Sequence, residues 1–365
     1  MMSEQLFDGE PARGYDTEPG SGKPLVAVTM GDPAGIGPEV TVKAAARHEV
    51  WGACRPLVVG DASILVAAVE MTGVPLTVHP VAAPADAEFR PGALEVLELD
   101  NVDVTALASG QPSAGAGRAS VAYVKKAVVL AQQGDVDALV TGPINKAAIR
   151  AAGIPYIGHT ELLVALTGEK RVTTMLATSD LRVVHVTRHV PLAEVAALIT
   201  RQRVLETLRI THDGLQKIGI SHPRLAVAAL NPHGGDEGLV GREEINAIAP
   251  AVEDALGEGI DAHGPIPADI VFLQAIQGSY DAVVAMYHDQ GHIPIKTHDF
   301  AHSVTVTLGL PIVRTSVDHG TAFEIAWRNQ ADETSMVEAI RLAAQLAPRL
   351  ASPRAGEAKP GAAGP

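Results

Sequence analysis

The chain has 365 residues, of which 47% are apolar, 19% are charged and only 3% are aromatic. At roughly 100–200 residues per domain, this length predicts two domains or one large α/β unit, and the apolar share excludes a disordered chain. The net charge of −14 argues against general nucleic-acid binding and against docking on anionic membranes. The single cysteine, Cys54, excludes a disulfide scaffold and a cysteine-based metal cluster.

The two ends of the chain differ in composition from its interior. Residues 1–22 and 351–365 are polar and rich in Gly and Pro without periodicity, a pattern that predicts disordered tails. No apolar run reaches the roughly 18–20 residues of a membrane span. The first residues lack the basic and apolar segments of a signal peptide, so we expect a cytoplasmic protein.

Between the tails, apolar runs typical of strands alternate with helical patterns. Helices are predicted from about residue 38, at 120–133 and at 192–218. Strands are predicted, in chain order, at 25–30, 56–61, 138–142, 182–187, 225–230 and 282–287. Continuous apolar strands separated by helices indicate an α/β fold with a parallel sheet buried on both faces. Ligands of such sheets bind beyond the carboxyl ends of the strands, so the residues that follow each strand are the candidates for chemistry.

Two of these strands are followed by loops with more than one interpretation. The segment GDPAGIGPE (31–39) follows the first strand and contains neither GxGxxG nor GxxxxGK[ST], so it fits a structural strand-to-helix turn. The segment PINK (143–146) follows the strand at 138–142, and its Asn and Lys could bind an anion or cap the next helix. The residues alone leave both alternatives open.

Three predicted strands each deliver a histidine within a few residues of the carboxyl end: His189, His233 and His288. Three neutral imidazoles can hold one divalent metal ion and leave coordination positions open for a substrate. A single histidine of this kind is more commonly a packed or surface residue. The pattern thus leaves a histidine-ligated metal and the structural interpretation as open alternatives.

Groups suited to an anionic substrate lie around these histidines in the sequence. The segment Gly-His-Thr-Glu (158–161) opens a predicted helix, whose N-terminal N–H groups favour anions. Lys296 follows His288 by eight residues, and Arg314 ends an apolar segment and needs a partner if it is buried. Asp269 could act as an acid or base, or cap a helix.

Seven motifs occur in the order of a known family: MGDPAGIGPE (30–39), TGPINK (141–146), GHTELL (158–163), LNPHGGDEG (230–238), GPIPAD (264–269), YHDQGHIPIK (287–296) and LGLPIVRTSVDHGTAFEIAW (308–327). Through them the sequence resembles the 4-hydroxythreonine-4-phosphate dehydrogenases of vitamin B6 synthesis, from about residue 25 to residue 347. The resemblance implies two α/β/α domains with a cleft between them, as in isocitrate and isopropylmalate dehydrogenases. It assigns residues 23–140 plus 306–350 to the first domain and 141–305 to the second, in a homodimer whose active sites are completed by the partner subunit.

The same resemblance implies roles for individual residues. One divalent ion (Zn, Co, Ni, Mn or Mg) is held by His189, His233 and His288. NAD is bound outside a Rossmann unit, with its adenosine part on the loop of Asp318, His319, Gly320, Thr321 and Ala322. The substrate contacts are His159, Thr160, Lys296, Thr305 and Arg314, and Lys296 or Asp269 accepts the proton of the alcohol.

The implied reaction is the oxidation of 4-phosphooxy-L-threonine at its secondary alcohol, followed by decarboxylation to 3-amino-2-oxopropyl phosphate. Thr305 departs from the family pattern, which usually has Asn there, and threonine offers one hydroxyl in place of an amide. The GHIPIK and TAFEIAW segments are similar to a catabolic branch that converts D-threonate or D-erythronate 4-phosphate to dihydroxyacetone phosphate. A further branch acts on cyclic dihydrodiols, and a non-catalytic metal- or anion-binding relative is the competing class.

Overall fold

The computed structural model of the chain describes residues 22–90, 92–156 and 158–350. The tails expected at 1–22 and 351–365 therefore lie, apart from Gly22, outside the described residues. Within the described part, no helix combines the length and apolar character that crossing a membrane requires.

One mixed sheet of twelve strands runs through the described chain. The strands are β1 (Leu25–Thr29), β2 (Arg55–Gly60), β3 (Thr77–Val81), β4 (Ala93–Glu98), β5 (Ala138–Thr141), β6 (Thr173–Ala177), β7 (Arg182–His185), β8 (Leu225–Ala228), β9 (Ala262–Ile266), β10 (Ala282–Ala285), β11 (Val304–Leu308) and β12 (Arg314–Val317). Their order is β3-β4-β2-β1-β5-β12-β11-β6-β7-β10-β8-β9. We call the strands from β3 to β12 in this order the first half of the sheet, and those from β11 to β9 the second half.

Helices connect and cover the strands, as expected for an α/β fold. They are α1 (Gly37–Ala45), α2 (His48–Ala53), α3 (Ala62–Thr72), α4 (Ala114–Gln133), α5 (Lys146–Ala151), α6 (His159–Thr167), α7 (Leu192–Leu198), α8 (Arg201–Lys217), α9 (Ala249–Gly257), α10 (Ala268–Ile276), α11 (His288–His298) and α12 (Thr334–Leu350). A π-helix, Glu244–Ile248, leads directly into α9. The α/β fold class is confirmed, whereas the assignment of residues to two domains stays a prediction.

All the predicted strands are present, but the long helix predicted at 192–218 is wrong in one respect. It is two helices, α7 and α8, separated at Thr200. Thr200 has an extended backbone (φ −113°, ψ 150°), and its hydroxyl accepts a hydrogen bond from the N–H of Arg203. The apolar periodicity continues across this break because both helices cover the same sheet, and the capping threonine is the local signal of the second start.

The expectation of a purely parallel sheet is also corrected. β11 is antiparallel to β12 and to β6, and β6 is antiparallel to β7. Two of these pairs are joined in sequence by short connections, at 178–181 and at 309–313, which are too short for the crossover that a parallel pair needs. The other neighbouring pairs are parallel, and β1, β5, β8 and β10 are buried along their whole length.

Three loops meet at the carboxyl edge of the first half, after β1, β5 and β12. The N–H of Asp32 donates to the carbonyl of Pro143 (2.8 Å), and the N–H of Ile36 donates to the carbonyl of Thr321 (3.0 Å). A Cβ atom at Gly35 would lie 2.9 Å from Thr321, so only glycine permits this approach. The glycine-rich loop is therefore a packing element of this edge.

The carboxyl group of Asp32 is buried in this loop contact. Its Oδ1 accepts a hydrogen bond from the N–H of Ala34 (2.9 Å), and its Oδ2 is buried without a hydrogen-bond partner among the described residues. Burial raises the pKa of Asp32 from 3.8 to about 6.

We expect Asp32→Asn to change the pH dependence of stability. The folded-state pKa lies above the unfolded value, so the folded chain binds this proton more tightly, and the wild type loses stability as pH rises through about 6. The asparagine side chain carries no charge to bury, so the variant should gain about 2 kcal/mol relative to wild type between pH 4 and pH 8. Urea unfolding at both pH values measures this. The exposed Asp213→Asn is the control, and parallel pH profiles of wild type and Asp32→Asn would contradict the prediction.

A second prediction concerns the packing of α4 on α5. A Cβ atom at Gly117 would lie 2.2 Å from the carbonyl oxygen of Ala148, whereas one at Gly115, on the same helix, has no atom nearer than 3.9 Å. Gly117→Ala should therefore destabilise the fold by about 1–3 kcal/mol despite the better helix propensity of alanine. Gly115→Ala should cost nothing. Urea midpoints of the two variants compare them, and equal midpoints would refute the packing argument.

Candidate active site

The three histidines predicted at strand ends lie at one edge of the sheet. β7, β10 and β8 are neighbours and run parallel, so their carboxyl ends lie side by side. His189 follows β7, His233 follows β8, and His288 is the first residue of α11, directly after β10. The ring centroids of His189 and His288 are 5.9 Å apart.

The surroundings of His288 and His233 leave one ring nitrogen of each free to bind a metal. The Nδ1 atom of His288 lies 2.7 Å from Oδ1 of Asp289, and Nδ1 of His233 lies 3.4 Å from Oδ2 of Asp236. A carboxylate on one ring nitrogen orients a histidine and leaves Nε2 as the ligand atom, an arrangement common around protein metal ions. Burial, followed by the positive charge of Lys146, lowers the pKa of His189, which favours the neutral, ligating form.

His233 lies in a turn with an unusual backbone. Residues 233–237 all have positive φ, and His233 (54°), Asp236 (44°) and Glu237 (56°) are not glycine. This left-handed conformation costs roughly 1–2 kcal/mol for each residue with a side chain, so the surrounding contacts must hold it. The sequence shows the two glycines, Gly234 and Gly235, but not the left-handed turn around them.

The described chain does not gather the three histidines into one ligand set. Its one group of three metal-binding side chains with ligand atoms within 4.8 Å of one another is Asp61, Glu98 and Asp100. Asp61 already accepts hydrogen bonds from the N–H groups of Asn101 and Val102 and from the hydroxyl of Tyr123. This carboxylate therefore anchors the segment after β4. The assignment of the metal to the three histidines stays a prediction.

A buried guanidinium lies where the two halves of the sheet join. Arg314 begins β12 and is 3% exposed. It donates to the hydroxyls of Thr141, on β5, and Thr307, on β11 (2.9 Å). Burial lowers its pKa to about 9, so it is still charged near neutral pH. Because these partners are neutral, they leave the charge available for an anion.

His159 and Thr160 begin helix α6, after the N-cap residue Gly158. Burial and the charge of Arg314 hold the pKa of His159 well below its usual range, so the ring is neutral. Its Nε2 atom is buried and has no hydrogen-bond partner among the described residues. Thr160 is half-buried in the first turn of the same helix.

Lys296 connects α11 with the loop after β12. Its Nζ atom lies 2.9 Å from Oδ2 of Asp318 and 5.3 Å from the ring centroid of Phe300. Asp269 is exposed in the first turn of α10, after β9, the strand beside β8. Thr305 lies within β11, opposite Ser316 of β12.

The loop from Asp318 to Ala322 borders a cavity of about 140 Å³. Asp318 and His319 line this cavity together with Phe300, Ser303 and Ser335. The Nε2 atom of His319 and the Oγ atom of Ser303 are buried without hydrogen-bond partners among the described residues. The hydroxyl of Thr321 accepts a hydrogen bond from the side-chain amide of Asn145. Gly320 is exposed, and Ala322 has a φ of 39°.

Sequence reasoning missed two histidines beside His288. The rings of His288 and His292 stack at 3.6 Å, and the buried His185 lies 4.7 Å from His292. His292 follows His288 by one helical turn, a spacing that indicates the contact once the helix is known. His185 is the last residue of β7 and lies within the apolar run, so the sequence pattern indicates a buried core residue there.

The chain is similar to proteins of known family along most of its length. It matches the family model described as "Pyridoxal phosphate biosynthetic protein PdxA" over residues 52–343. A relative from Symbiobacterium thermophilum, named "Putative D-threonate 4-phosphate dehydrogenase", is 49% identical over 89% of this chain and 97% of its own length. A 4-hydroxythreonine-4-phosphate dehydrogenase from Desulforapulum autotrophicum is 46% identical, over 88% of this chain and 95% of its own length.

Solved structures of similar proteins include members of the same family. The crystal structure of 4-hydroxythreonine-4-phosphate dehydrogenase from Klebsiella pneumoniae is 41% identical, covers 89% of this chain and 99% of its own, and superposes with a TM-score of 0.84. A terephthalate 1,2-cis-dihydrodiol dehydrogenase from Burkholderia xenovorans is more distant, at 33% identity over 88% of this chain and 98% of its own, with a TM-score of 0.62. The chain belongs to the PdxA family and is a dehydrogenase of the 4-hydroxythreonine-4-phosphate dehydrogenase type.

Proposed function

We propose that this chain oxidises 4-phosphooxy-L-threonine at its secondary alcohol, with NAD and one divalent metal ion, and that decarboxylation then yields 3-amino-2-oxopropyl phosphate. The observation that carries the proposal is the buried guanidinium of Arg314, held by neutral hydroxyls beside the neutral His159. Such a pair suits a phosphate group. The names of the relatives from Desulforapulum autotrophicum and Klebsiella pneumoniae support the same reaction. A cytoplasmic location is part of this proposal.

The anionic ends of the substrate are bound by groups from both halves of the sheet. Arg314 supplies a charged fork, and the N-terminus of α6, with His159 and Thr160, supplies N–H groups and polar side chains. Lys296 adds a point charge from α11, and Thr305 offers its hydroxyl from β11. Fixing both ends of a short substrate aligns its reacting carbon.

His189, His233 and His288 are proposed to hold the metal ion. The fit rests on the carboxylate partners of His233 and His288, which leave Nε2 free, and on the lowered pKa of His189. When bound, a divalent ion lowers the pKa of the alcohol and stabilises negative charge next to the carboxylate that is lost. Lys296 or Asp269 takes the proton of the alcohol, directly or through water.

The loop from Asp318 to Ala322 is proposed to bind the adenosine part of NAD. The fit rests on the cavity beside it and on the unpartnered polar atoms of His319 and Ser303. When bound, NAD accepts the hydride of the carbinol carbon. Asp318 holds Lys296 at the border between this cavity and the substrate groups.

We infer that a second copy of the chain completes each site. In the described residues of the single chain, the ligand atoms of His189, His233 and His288 do not all lie within 4.8 Å of one another. Large apolar side chains are exposed close to these residues in sequence: Leu192 (72%), Leu239 (89%) and Ile293 (62%). An apolar surface around an incomplete polar site is typical of a homodimer interface.

D-threonate 4-phosphate is the second candidate substrate, with D-erythronate 4-phosphate as its close analogue and dihydroxyacetone phosphate as the product. It is favoured by Thr305, which offers a hydroxyl in place of an amide, and by the name of the relative from Symbiobacterium thermophilum. The kcat/KM values for the three substrates decide between them. Wild-type protein inactive on all three would support the competing non-catalytic class.

His288→Ala should abolish NADH formation and weaken metal binding while the fold remains intact, because it removes one of the three proposed ligands. Steady-state NADH absorbance and calorimetric titration of the metal-stripped protein measure the two effects. His48→Ala, whose side chain is 94% exposed on α2, is the matched control. Full activity of His288→Ala would refute the metal assignment.

Mixing His233→Ala with His288→Ala tests the shared site. If His233 and His288 of one site come from different chains, each mixed dimer has one intact site of its two, so the purified mixed dimer should recover about half of wild-type activity. The two proteins are co-expressed with different affinity tags and purified on both. A mixed dimer as inactive as its parents would mean that both histidines of a site come from one chain.

A further inference from the structure

The loop that carries His233 depends on a buried carboxylate from the next helix. Glu244 is the first residue of the π-helix and is 3% exposed. Its Oε1 atom accepts hydrogen bonds from the N–H groups of Leu230 (2.8 Å) and Asn231 (2.7 Å). Its Oε2 atom accepts a further hydrogen bond from Nδ2 of Asn231 (2.9 Å).

The same carboxylate lies against the left-handed turn. A Cβ atom at Gly235 would lie 2.8 Å from Oε2 of Glu244, so the turn packs directly on this oxygen. At the end of the loop, a Cβ atom at Gly241 would lie 2.3 Å from Nδ2 of Asn231. Asn231, at the start of the loop, therefore packs against Gly241 at its end. Hydrogen bonds from Leu230 and Asn231 to Glu244 connect the start of the loop to the π-helix.

His233 lies two residues after Asn231, inside the loop that these contacts enclose. Its backbone has a φ of 54°, which is uncommon for a residue with a side chain, so the surrounding contacts stabilise it. Its only described side-chain contact with a carboxylate is the long one to Asp236, at 3.4 Å. The position of the ring thus follows the loop backbone. Glu244 is the buried side chain that accepts both N–H groups at the start of this loop, while Glu243 shares the side-chain amide of Asn231 (2.7 Å).

We propose that Glu244 is a positioning residue that holds His233 in the conformation that binds the divalent ion. It acts through Asn231 and the left-handed turn and does not touch the ion or the substrate. This inference rests on the proposed function, because it requires His233 to be a metal ligand. Substitution of such a residue lowers the metal affinity more than it lowers the rate of the chemical step at saturating metal.

The test is a titration of the metal-stripped full-length protein with Co²⁺, followed by its visible absorption, which reports the ligand geometry. Glu244→Ala should weaken Co²⁺ binding about 10–100-fold and alter the spectrum. Glu244→Gln retains one acceptor oxygen for the two backbone N–H groups but places an amide against Nδ2 of Asn231. Its loss of Co²⁺ affinity should therefore be smaller than that of Glu244→Ala. Gly241→Ala disturbs Asn231 from the other side and should weaken Co²⁺ binding even if Glu244→Ala does not fold.

Asp61→Ala is the matched control. Asp61, which follows β2, is also a buried carboxylate that accepts two backbone N–H groups and one side-chain donor, but the N–H groups belong to the segment after β4. The proposal predicts that Asp61→Ala lowers the Tm without changing Co²⁺ affinity. Wild-type Co²⁺ affinity in Glu244→Ala or Glu244→Gln, or an equal loss in Asp61→Ala, would overturn it. Unchanged Co²⁺ affinity in His233→Ala would instead overturn the ligand set of the proposed function.

Discussion

The burial of Arg314 at the joint of the sheet is the constraint on which the site depends. A guanidinium is expensive to desolvate, and here its described acceptors are hydroxyls of β5 and β11, one from each half of the sheet. These acceptors are in place only if β12 pairs with both strands, parallel to β5 and antiparallel to β11. The pairing that joins the two halves and the charge that is proposed to bind the phosphate are therefore one structural feature.

The sequence predicts well those features that depend on the chain's local chemistry. Apolar runs locate the buried strands, and the residues that follow β7, β8 and β10 include His189, His233 and His288. The break at Thr200 and the reversal of β6 and β11 are less visible, because apolar periodicity records burial and carries no information about strand direction. The left-handed turn at His233 is not visible, since three of its five residues have side chains that ordinarily avoid positive φ.

Carboxylates in this protein show why a cluster of ligand-type residues is a weak sign of a metal. Asp61 and Glu244 are both buried acids, and both use their oxygens to accept N–H groups of nearby loops. The histidines at the ends of β7, β8 and β10 differ, because their geometry leaves ring nitrogens uncommitted. The difference lies in which acceptors remain free after folding, and residue type alone does not show it.

The ion pair between Lys296 and Asp318 connects a residue proposed to bind the substrate with the loop proposed to bind the cofactor. An anion that binds Lys296 competes with Asp318 for the same ammonium group, so occupancy on one side of the pair changes the charge presented on the other. Binding of the two ligands is thereby thermodynamically linked, and linkage of this kind acts equally in both directions. If the two proposed ligands bind as described, the free energy that couples their binding is a property of this one contact as much as of either binding pocket.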